Sequence, residues 1–261
     1  MLLVVDVGNT HTVVGLYREK SLEHTFRWST EVARTEDEIW VLLRGLLQDT
    51  SVIATEIRKV AIASVVPPMT SVFRNLCQRR LSLEPVVVGP GIKTGMPIRY
   101  DAPREVGADR IVNGVAAYER FRHDLGGPFG VIVVDFGTAT TFDVVSPVGE
   151  YLGGAIAPGV VVSMEALVHR AAKLPKVDLE RPPACIGRTT VASLQSGLLF
   201  GTAAMVDGMV DRMVAELDAV PRVIATGGLS SIIAPESRTI EMADGDLTLE
   251  GLRIIHERNA Q

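Results

Sequence analysis

Two segments of the chain carry an aspartate and a glycine at the same spacing. Asp6 and Gly8 follow the apolar run 2–5, and Asp135 and Gly137 follow a similar run at a constant offset from the first pair. A β-branched strand comes after each of them. Glycine lets a backbone turn approach a ligand closely, and successive N–H groups in such a turn can point at phosphate oxygens. The repeated pattern predicts a duplicated hairpin and two phosphate-binding turns.

Each aspartate ends its strand, where it would repel a phosphate unless a cation lay between them. Asp6 is therefore expected to hold a hydrated Mg²⁺ that bridges the phosphates. Asp135 faces a second phosphate turn, so a bound cation is expected there too. Asp143, in the following strand, is expected to make a structural hydrogen bond. Ordinary hairpins whose polar side chains satisfy their own backbone are the alternative, but two related turns and the glycine pair after Thr226 favour nucleotide binding.

The common nucleotide-binding motifs are missing from the chain. It contains no Gly-x-x-x-x-Gly-Lys-Ser/Thr sequence and no Gly-x-Gly-x-x-Gly between a predicted strand and a helix. The glycine-rich segment 89–94 lacks the Gly-Lys pair that the first motif requires. A phosphate site in this protein must therefore be built another way, and the Asp-x-Gly turns can provide it.

A third polar cluster, Gly107-Ala108-Asp109-Arg110, comes directly before an apolar pattern that predicts a helix. Asp109 then lies in the first helical turn, where the helix dipole keeps a carboxylate ionised. Such a carboxylate can orient a hydroxyl for phosphoryl transfer, because the hydroxyl proton leaves late in that reaction. Arg110 can pair with a carboxylate or a phosphate through its planar fork. Alternatively, Asp109 is only a residue favoured at a helix start, and Arg110 forms a surface ion pair.

Strands that alternate with helices predict an α/β protein with mixed sheets. Apolar runs predict strands at 59–66 and 222–228 in addition to the two hairpins, and the capping-box sequence 35–38 predicts a helix start. We divide the chain into two lobes, residues 1–120 and 121–261. Further helices are expected at 70–81, 108–122, 163–173, 190–217 and 249–259, and loops at 89–97, 125–130, 147–159 and 175–187.

Composition and charge exclude several classes of function. The 261 residues carry a formal net charge of −5 without a basic stripe that could follow a phosphodiester backbone, so no nucleic-acid partner is expected. Cys77 and Cys185 have no partner at metal-ligand spacing, which fits a reducing cytoplasm. No apolar run approaches the roughly 20 residues of a membrane span. We therefore expect a cytoplasmic protein without a membrane partner.

The paired Asp-x-Gly turns and the later strand with its glycine pair resemble the acetate and sugar kinase, heat-shock chaperone and actin superfamily. This resemblance implies two ribonuclease-H-like lobes with ATP between them. Within the superfamily, the chain resembles type III pantothenate kinases over nearly its whole length. The matching blocks are Asp6-Val7-Gly8-Asn9-Thr10, Gly107-Ala108-Asp109-Arg110, Asp135-Phe136-Gly137-Thr138-Ala139, Gly153-Gly154-Ala155-Ile156-Ala157-Pro158-Gly159 and Gln195-Ser196-Gly197.

The resemblance implies transfer of the ATP γ-phosphate to pantothenate, which gives 4′-phosphopantothenate in the first step of coenzyme A synthesis. Asp109 corresponds to the family's proposed proton acceptor, and Asp135 to its monovalent-cation ligand, with K⁺ or NH₄⁺ as the cation and Mg²⁺ accompanying ATP. A homodimer is implied, because the family often supplies the threonine at Thr190 from the partner subunit. The implied ATP contacts are Asp6, Val7, Gly8, Asn9, Thr10, His11, Thr12, Val13 and Thr138. The implied pantothenate contacts are Tyr100, Gly107, Ala108, Asp109, Arg110 and Thr190.

Two positions depart from the family pattern, which commonly has asparagine where this chain has His11 and Thr189. Neither departure removes a proposed catalytic group. Both could alter how tightly nucleotide or substrate is held.

Two other classes of function remain open on the same fold. One is an ATPase that uses nucleotide to drive domain closure, and the other is a catalytically inactive relative with a role in gene regulation. The compact 107–110 cluster favours a site for a small substrate over a role in such an ATPase. The presence of Asp6, Asp109 and Asp135 argues against an inactive relative.

Overall fold

The computed structural model describes residues 1–122 and 129–260, so the expected loop at 125–130 lies mostly outside the described residues. The chain forms two compact units, Met1–Ala116 with Thr248–Gln261 and Ala117–Leu247. The last segment of the chain thus belongs to the first unit, whereas the division between residues 120 and 121 assigned it to the second lobe.

The first unit contains a five-stranded mixed sheet. Its strands are β1 (Leu2–Val7), β2 (His11–Arg18), β3 (Ser21–Ser29), β4 (Lys59–Ser64) and β5 (Val86–Val87). They lie in the order β3-β2-β1-β4-β5, with the central strand β1 antiparallel to β2 and parallel to β4. The apolar residues of β1 are buried, as its near-continuous apolar sequence predicts for a central strand covered on both faces.

The second unit repeats the sheet of the first. Its strands are β6 (Val131–Phe136), β7 (Ala139–Val145), β8 (Tyr151–Pro158), β9 (Arg222–Thr226) and β10 (Met242–Ala243). They lie in the equivalent order β8-β7-β6-β9-β10. The central strand β6 is antiparallel to β7 and parallel to β9, just as β1 is to β2 and β4. The predicted α/β class with a duplicated hairpin core is confirmed.

The helices lie close to the predicted positions, except that α2 ends before the predicted residue 81 and α6 was not predicted. They are α1 (Glu36–Gln48), α2 (Pro67–Leu76), α3 (Ala108–Phe121), α4 (Val160–Arg170), α5 (Thr190–Val214), α6 (Ser230–Ile233) and α7 (Leu247–Asn259). The predicted capping box is confirmed: Thr35 Oγ1 accepts a hydrogen bond from the Glu38 N–H (3.4 Å), and the Glu38 carboxylate accepts one from the Thr35 N–H (2.7 Å). None of the helices in the described ranges is long and apolar enough to cross a membrane.

The two hairpins differ in the length of their turns. In the first, the Gly8 N–H donates to the His11 carbonyl, and in the second, the Gly137 N–H donates to the Ala139 carbonyl, both at 3.0 Å. The second turn is therefore one residue shorter. Beyond the turns, Thr12 corresponds to Thr140, because each is the register partner of the last residue of its central strand.

The prediction of a loop at 147–159 is wrong, because β8 occupies most of this segment and pairs with β7. Gly153 and Gly154 made the segment look like a loop. In the structure, a side chain at Gly154 would collide with the Phe142 carbonyl of β7, and Gly153 has a φ of 122°. These glycines permit close strand approach and an irregular register.

The C-terminal helix α7 packs tightly within the first unit. A Cβ at Gly251 would collide with the carbonyl and side chain of Val112 on α3. The Thr248 hydroxyl donates to Asn113 Oδ1, also on α3, at 2.7 Å. The helix whose first turn carries Asp109 is therefore held in place by the last helix of the chain.

We predict that Gly251→Ala lowers the free energy of unfolding by about 1–3 kcal/mol, because the added methyl group must displace the backbone of α3. Gly45→Ala is the matched control, since Gly45 also lies inside a helix but has no atom within 4 Å of its Cβ position. Alanine there should raise the free energy of unfolding by about 0.5–1 kcal/mol through helix propensity. Denaturant unfolding measures both changes, and the same effect in both variants would mean that the contact between α7 and α3 is loose.

Candidate active site

The first Asp-x-Gly turn connects β1 to β2. Asp6 is half-buried at the end of β1, while Asn9 and Thr10 are exposed at the tip of the turn. The Thr10 carbonyl accepts a hydrogen bond from the Thr30 N–H (2.9 Å), and the Thr12 and Thr30 hydroxyls are hydrogen-bonded to each other (2.9 Å). These contacts hold the base of the turn, while its tip stays open to solvent.

The predicted ATP segment 6–13 does not present every side chain to a ligand. Val7 and Thr12 are buried, so only their backbone could contact a nucleotide. The exposed side chains of the segment are those of Asn9, Thr10 and His11. Phosphate binding by this turn would therefore rest on the backbone and on three side chains at its tip.

The second turn connects β6 to β7, and Thr138 is exposed within it. Asp135 is half-buried, and the Gly227 backbone lies against it: Gly227 has a φ of 87°, and a side chain there would collide with the Asp135 carboxylate. Next to Gly227, Thr226 is buried, and its hydroxyl has no hydrogen-bond partner among the described residues. The unsatisfied Thr226 hydroxyl and the Asp135 carboxylate on the neighbouring strand are both oxygen groups that a cation could use as ligands.

Asp109 lies in the first turn of α3, as predicted. Gly107 leaves room for it, since a Cβ at position 107 would lie 2.5 Å from Asp109 Oδ1. The same oxygen accepts a hydrogen bond from the Arg110 N–H at 2.8 Å. Burial raises the pKa of Asp109, while the hydrogen bond from Arg110 and its positive charge act in the opposite direction. Burial, rather than the helix dipole expected from the sequence, therefore has the largest effect on this carboxyl group.

The other predicted substrate residues of the first unit differ in exposure. Arg110 is only 8% exposed, which disfavours its interpretation as a surface ion pair. A guanidinium group withdrawn from water binds an anion more strongly than an exposed one. Tyr100 lies in an exposed part of the loop before α3. Of these two side chains, only that of Arg110 is buried.

Thr190 is the exposed first residue of α5, in the second unit. Thr189 caps this helix, because its Oγ1 accepts a hydrogen bond from the Ala192 N–H (3.1 Å). Threonine and asparagine are both favourable N-cap residues. The departure from the family pattern at position 189 therefore preserves the helix start.

The structure distributes the predicted site residues over both units. The first unit carries the turn 6–13, Tyr100 and the cluster 107–110, and the second carries Asp135, Thr138 and Thr190. Thr141 and Thr226 were not predicted as ligands from the sequence, although they are the register partners of Asp135 on β7 and β9. An alignment of the two hairpins that allows for the shorter second turn could have singled out Thr141, but not Thr226, which lies on β9 outside the hairpin.

Asp143 makes the structural hydrogen bonds that were predicted for it. It is fully buried and accepts hydrogen bonds from the Tyr151 hydroxyl (2.8 Å) and the Thr141 hydroxyl (3.1 Å). Within residues 1–122 and 129–260, no group of three or more His, Cys, Asp or Glu side chains is placed to hold a metal ion.

Comparison with known proteins identifies the family. Residues 2–212 match the family model for type III pantothenate kinase. The chain is 57% identical over 261 residues to the type III pantothenate kinase of Geobacter sulfurreducens and 51% identical over 260 residues to that of Syntrophus aciditrophicus, with 100% of both chains covered in each case. The chain belongs to the type III pantothenate kinase family. The resemblance inferred from the motifs is thereby confirmed.

Solved structures show that the family shares its fold with other proteins. A Campylobacter jejuni protein described as a Baf family transcriptional activator is 19% identical, with a TM-score of 0.59 and 98% of each chain covered. Component A of (R)-2-hydroxyglutaryl-CoA dehydratase from Acidaminococcus fermentans is 11% identical, with a TM-score of 0.55, 98% of this chain and 95% of that chain covered. At these identities the similarity concerns the fold alone, which type III pantothenate kinases have in common with proteins of other activities.

We predict that Asp109→Asn is more stable than the wild type at neutral pH. Because the folded-state pKa of Asp109 is raised above its unfolded value, ionisation of this carboxyl disfavours folding at any pH above the raised value, and a neutral amide avoids that cost. The difference in the free energy of unfolding should shrink as the pH falls through the raised pKa and vanish below the unfolded pKa. Denaturant unfolding over a pH series measures this difference.

The opposite sign would contradict the role of burial. An Asp109→Asn variant that is less stable than the wild type at neutral pH, with the gap closing in acid, would show that hydrogen bonding and the helix start outweigh burial at this position.

Proposed function

We propose that the chain transfers the γ-phosphoryl group of ATP to the terminal hydroxyl of pantothenate, which gives 4′-phosphopantothenate in the first step of coenzyme A synthesis. Membership of the type III pantothenate kinase family supports both the substrate and the reaction. The observation in the structure that carries the proposal is the position of Asp109. It is a half-buried carboxylate in the first turn of α3, beside a glycine that leaves it unobstructed.

In the proposed reaction, Asp109 accepts the proton of the pantothenate hydroxyl. A carboxylate is a weak base for an alcohol. The raised pKa of Asp109 lies closer to the pH at which the enzyme would work, which makes this carboxylate a better base. Phosphoryl transfer also has a loose transition state, so orienting the hydroxyl contributes more than basicity. Arg110 pairs with the pantothenate carboxylate. The remaining pantothenate contacts in this proposal are Tyr100, Gly107, Ala108 and Thr190.

The two Asp-x-Gly turns bind ATP in this proposal. Asp6 holds Mg²⁺ through water, and the ion supplies neutralisation of the phosphate charge when bound. The backbone of residues 7–13 and the exposed Thr138 contact the nucleotide. The turns are suited to this because glycine at their start allows close approach of the phosphate oxygens.

A coupled assay of ADP release tests the function, with ATP, Mg²⁺ and either pantothenate or a panel of other small alcohols. We expect release to require pantothenate. Asp109→Asn should lower kcat by about 10²–10⁴-fold with little change in ATP affinity, because an amide cannot accept the hydroxyl proton. Equal release without pantothenate would favour an ATPase instead. A variant that retains more than about a tenth of the wild-type kcat would contradict the assignment of Asp109 as the base.

We propose further that Asp135 binds K⁺ or NH₄⁺, as the family resemblance implies, because a cation would offset its repulsion of a phosphate at the second turn and would use the unsatisfied Thr226 hydroxyl on the neighbouring strand. Replacing Na⁺ with K⁺ or NH₄⁺ should then raise the activity. Asp135→Ala should weaken ATP use and remove that response. Cation titrations at constant ionic strength measure both effects, and an unchanged K⁺ dependence in the variant would eliminate Asp135 as the ligand.

The active form in this proposal is a homodimer in which Thr190 of one subunit completes the pantothenate site of the other. Support comes from α5, which begins at Thr190 and carries three glycines that have no atom within 4 Å of their Cβ positions. Small residues at this spacing permit close packing against another helix. The three glycines are Gly197, Gly201 and Gly208.

Subunit mixing tests the shared site. Asp109→Asn and Thr190→Ala subunits should each be inactive alone, and their mixture should recover part of the activity, because one site of a mixed dimer then holds both wild-type residues. Activity of the mixture is compared with that of each variant after native mass spectrometry has verified subunit exchange. No recovery in verified mixed dimers would count against a site shared between subunits.

We place the enzyme in the cytoplasm, with ATP, pantothenate and a second copy of the chain as its partners and without nucleic acid or membrane. Cys77 and Cys185 are free thiols, as a reducing compartment allows. The net charge of −5 supports recognition of small molecules rather than of nucleic acid.

A further inference from the structure

Strand pairing places each turn aspartate between two neighbours in its sheet. Asp6, on the central strand β1, has Val13 of β2 and Ala63 of β4 as its register partners. Register partners project from the same face of a sheet. Both partners of Asp6 are apolar, so neither contributes a side-chain oxygen next to its carboxylate.

Asp135 occupies the equivalent position in the second unit, but its neighbours are different. Its register partners are Thr141 of β7 and Thr226 of β9. Three oxygen-bearing side chains therefore form a row across β7, β6 and β9 at one end of the sheet. We call Thr141, Asp135 and Thr226 the oxygen row.

The Thr226 hydroxyl is an unsatisfied group within this row. Thr226 is 1% exposed, and no described residue forms a hydrogen bond with its hydroxyl. Burying a hydroxyl without a partner costs stability, and valine would fill the same space without that cost. A bound cation would use the lone pairs of the hydroxyl. The unsatisfied oxygen beside a carboxylate therefore points to a ligand rather than to packing.

The Thr141 hydroxyl is oriented by a buried carboxylate. It donates to Asp143 Oδ2 (3.1 Å), and the Tyr151 hydroxyl donates to Asp143 Oδ1 (2.8 Å). The equivalent of Asp143 in the first unit is Gly15, where apolar side chains fill the space that a side chain would need. Because the Thr141 proton is directed to Asp143, its lone pairs are available on the other side for a ligand.

A second buried threonine in the same hairpin provides an internal control. Thr140 also lacks a hydrogen-bond partner within the described residues, but it projects from the face opposite to Asp135. It corresponds to Thr12, whose hydroxyl pairs with that of Thr30 in the first unit. Gly159 stands at the equivalent of Thr30 in the second unit. The glycine at the position equivalent to Thr30 therefore explains why the Thr140 hydroxyl has no partner. It does not explain why the Thr226 hydroxyl has none.

We propose that the oxygen row binds the monovalent cation and that its two hydroxyls determine the preference for K⁺ over Na⁺. This inference rests on the proposed cation dependence of the kinase. K⁺ exchanges its hydration shell for protein oxygens, whereas Mg²⁺ loses water reluctantly and keeps several water ligands. The oxygen row therefore suits K⁺, and the apolar neighbours of Asp6 suit a hydrated Mg²⁺. Asp143 and Tyr151 act as positioning residues for Thr141.

Three substitutions in the complete chain test the proposal. Thr226→Val removes the hydroxyl with little change in volume, Thr226→Ser keeps it, and Thr140→Val removes the other unsatisfied hydroxyl as a matched control. Binding of thallium(I), a substitute for K⁺, is followed by thallium NMR, and kinase activity is titrated with K⁺ and with Na⁺. We expect Thr226→Val to weaken thallium binding and to raise the half-saturating K⁺ concentration by about 10–100-fold. Thr226→Ser and Thr140→Val should remain close to the wild type.

The outcomes separate this inference from the proposed function. Wild-type thallium and K⁺ affinities in Thr226→Val would overturn the oxygen row and leave the kinase intact. A wild-type chain that phosphorylates pantothenate equally in K⁺ and Na⁺ and binds no thallium would overturn the cation proposal together with the oxygen row. Loss of thallium binding in Thr226→Val, in a chain without pantothenate-dependent activity, would support the oxygen row and contradict the proposed function. If Thr226→Val does not fold, Thr226→Ala reproduces Ala63 of the first unit and carries the same expectation.

Discussion

The central strand of each sheet is hydrogen-bonded to a neighbour on both sides, and this double pairing determines where its aspartate lies. β1 pairs with β2 and β4 from Leu2 to Val7, and β6 pairs with β7 and β9 in the same way. The apolar residues of both strands are buried. A slip of one residue would move every side chain to the other face of the sheet, so burial holds the register. The proposed chemistry of both turns, including the difference between Asp6 and Asp135, depends on that register.

Asp109 depends on packing in a similar way. Its helix α3 is held by α7, where Gly251 lies against the backbone of Val112. The Asp109 carboxylate in the first turn of this helix is half-buried, and burial raises its pKa. A carboxyl group that is less easily ionised is a stronger base, which is the property that the proposed proton transfer uses. The last helix of the chain thus supports the site without contributing any of the predicted site residues.

The features that could be predicted from the sequence are local ones. The Asp-x-Gly hairpins, the helix start at Thr35 and the family motifs are short contiguous patterns, and the structure and the family comparison confirm them. Strand β8 was missed because Gly153 and Gly154 look like loop residues until the close approach of β7 is known. The flanking positions Thr141 and Thr226 were missed because they come next to the aspartate only through strand pairing, and because the shorter second turn shifts the alignment of the two halves. The roles of the individual site residues stay predictions.

The central claim is that the γ-phosphoryl group of ATP passes to an alcohol of pantothenate and not to water. Phosphorus NMR of the complete reaction tests this most directly, because a phosphate ester and inorganic phosphate give separate signals. We expect the γ-phosphate signal to be replaced by one ester signal coupled to the methylene protons next to the pantothenate hydroxyl, with one ADP formed per ester and no accumulation of inorganic phosphate. Inorganic phosphate that forms at the same rate with and without pantothenate, in the absence of any ester signal, would contradict that claim.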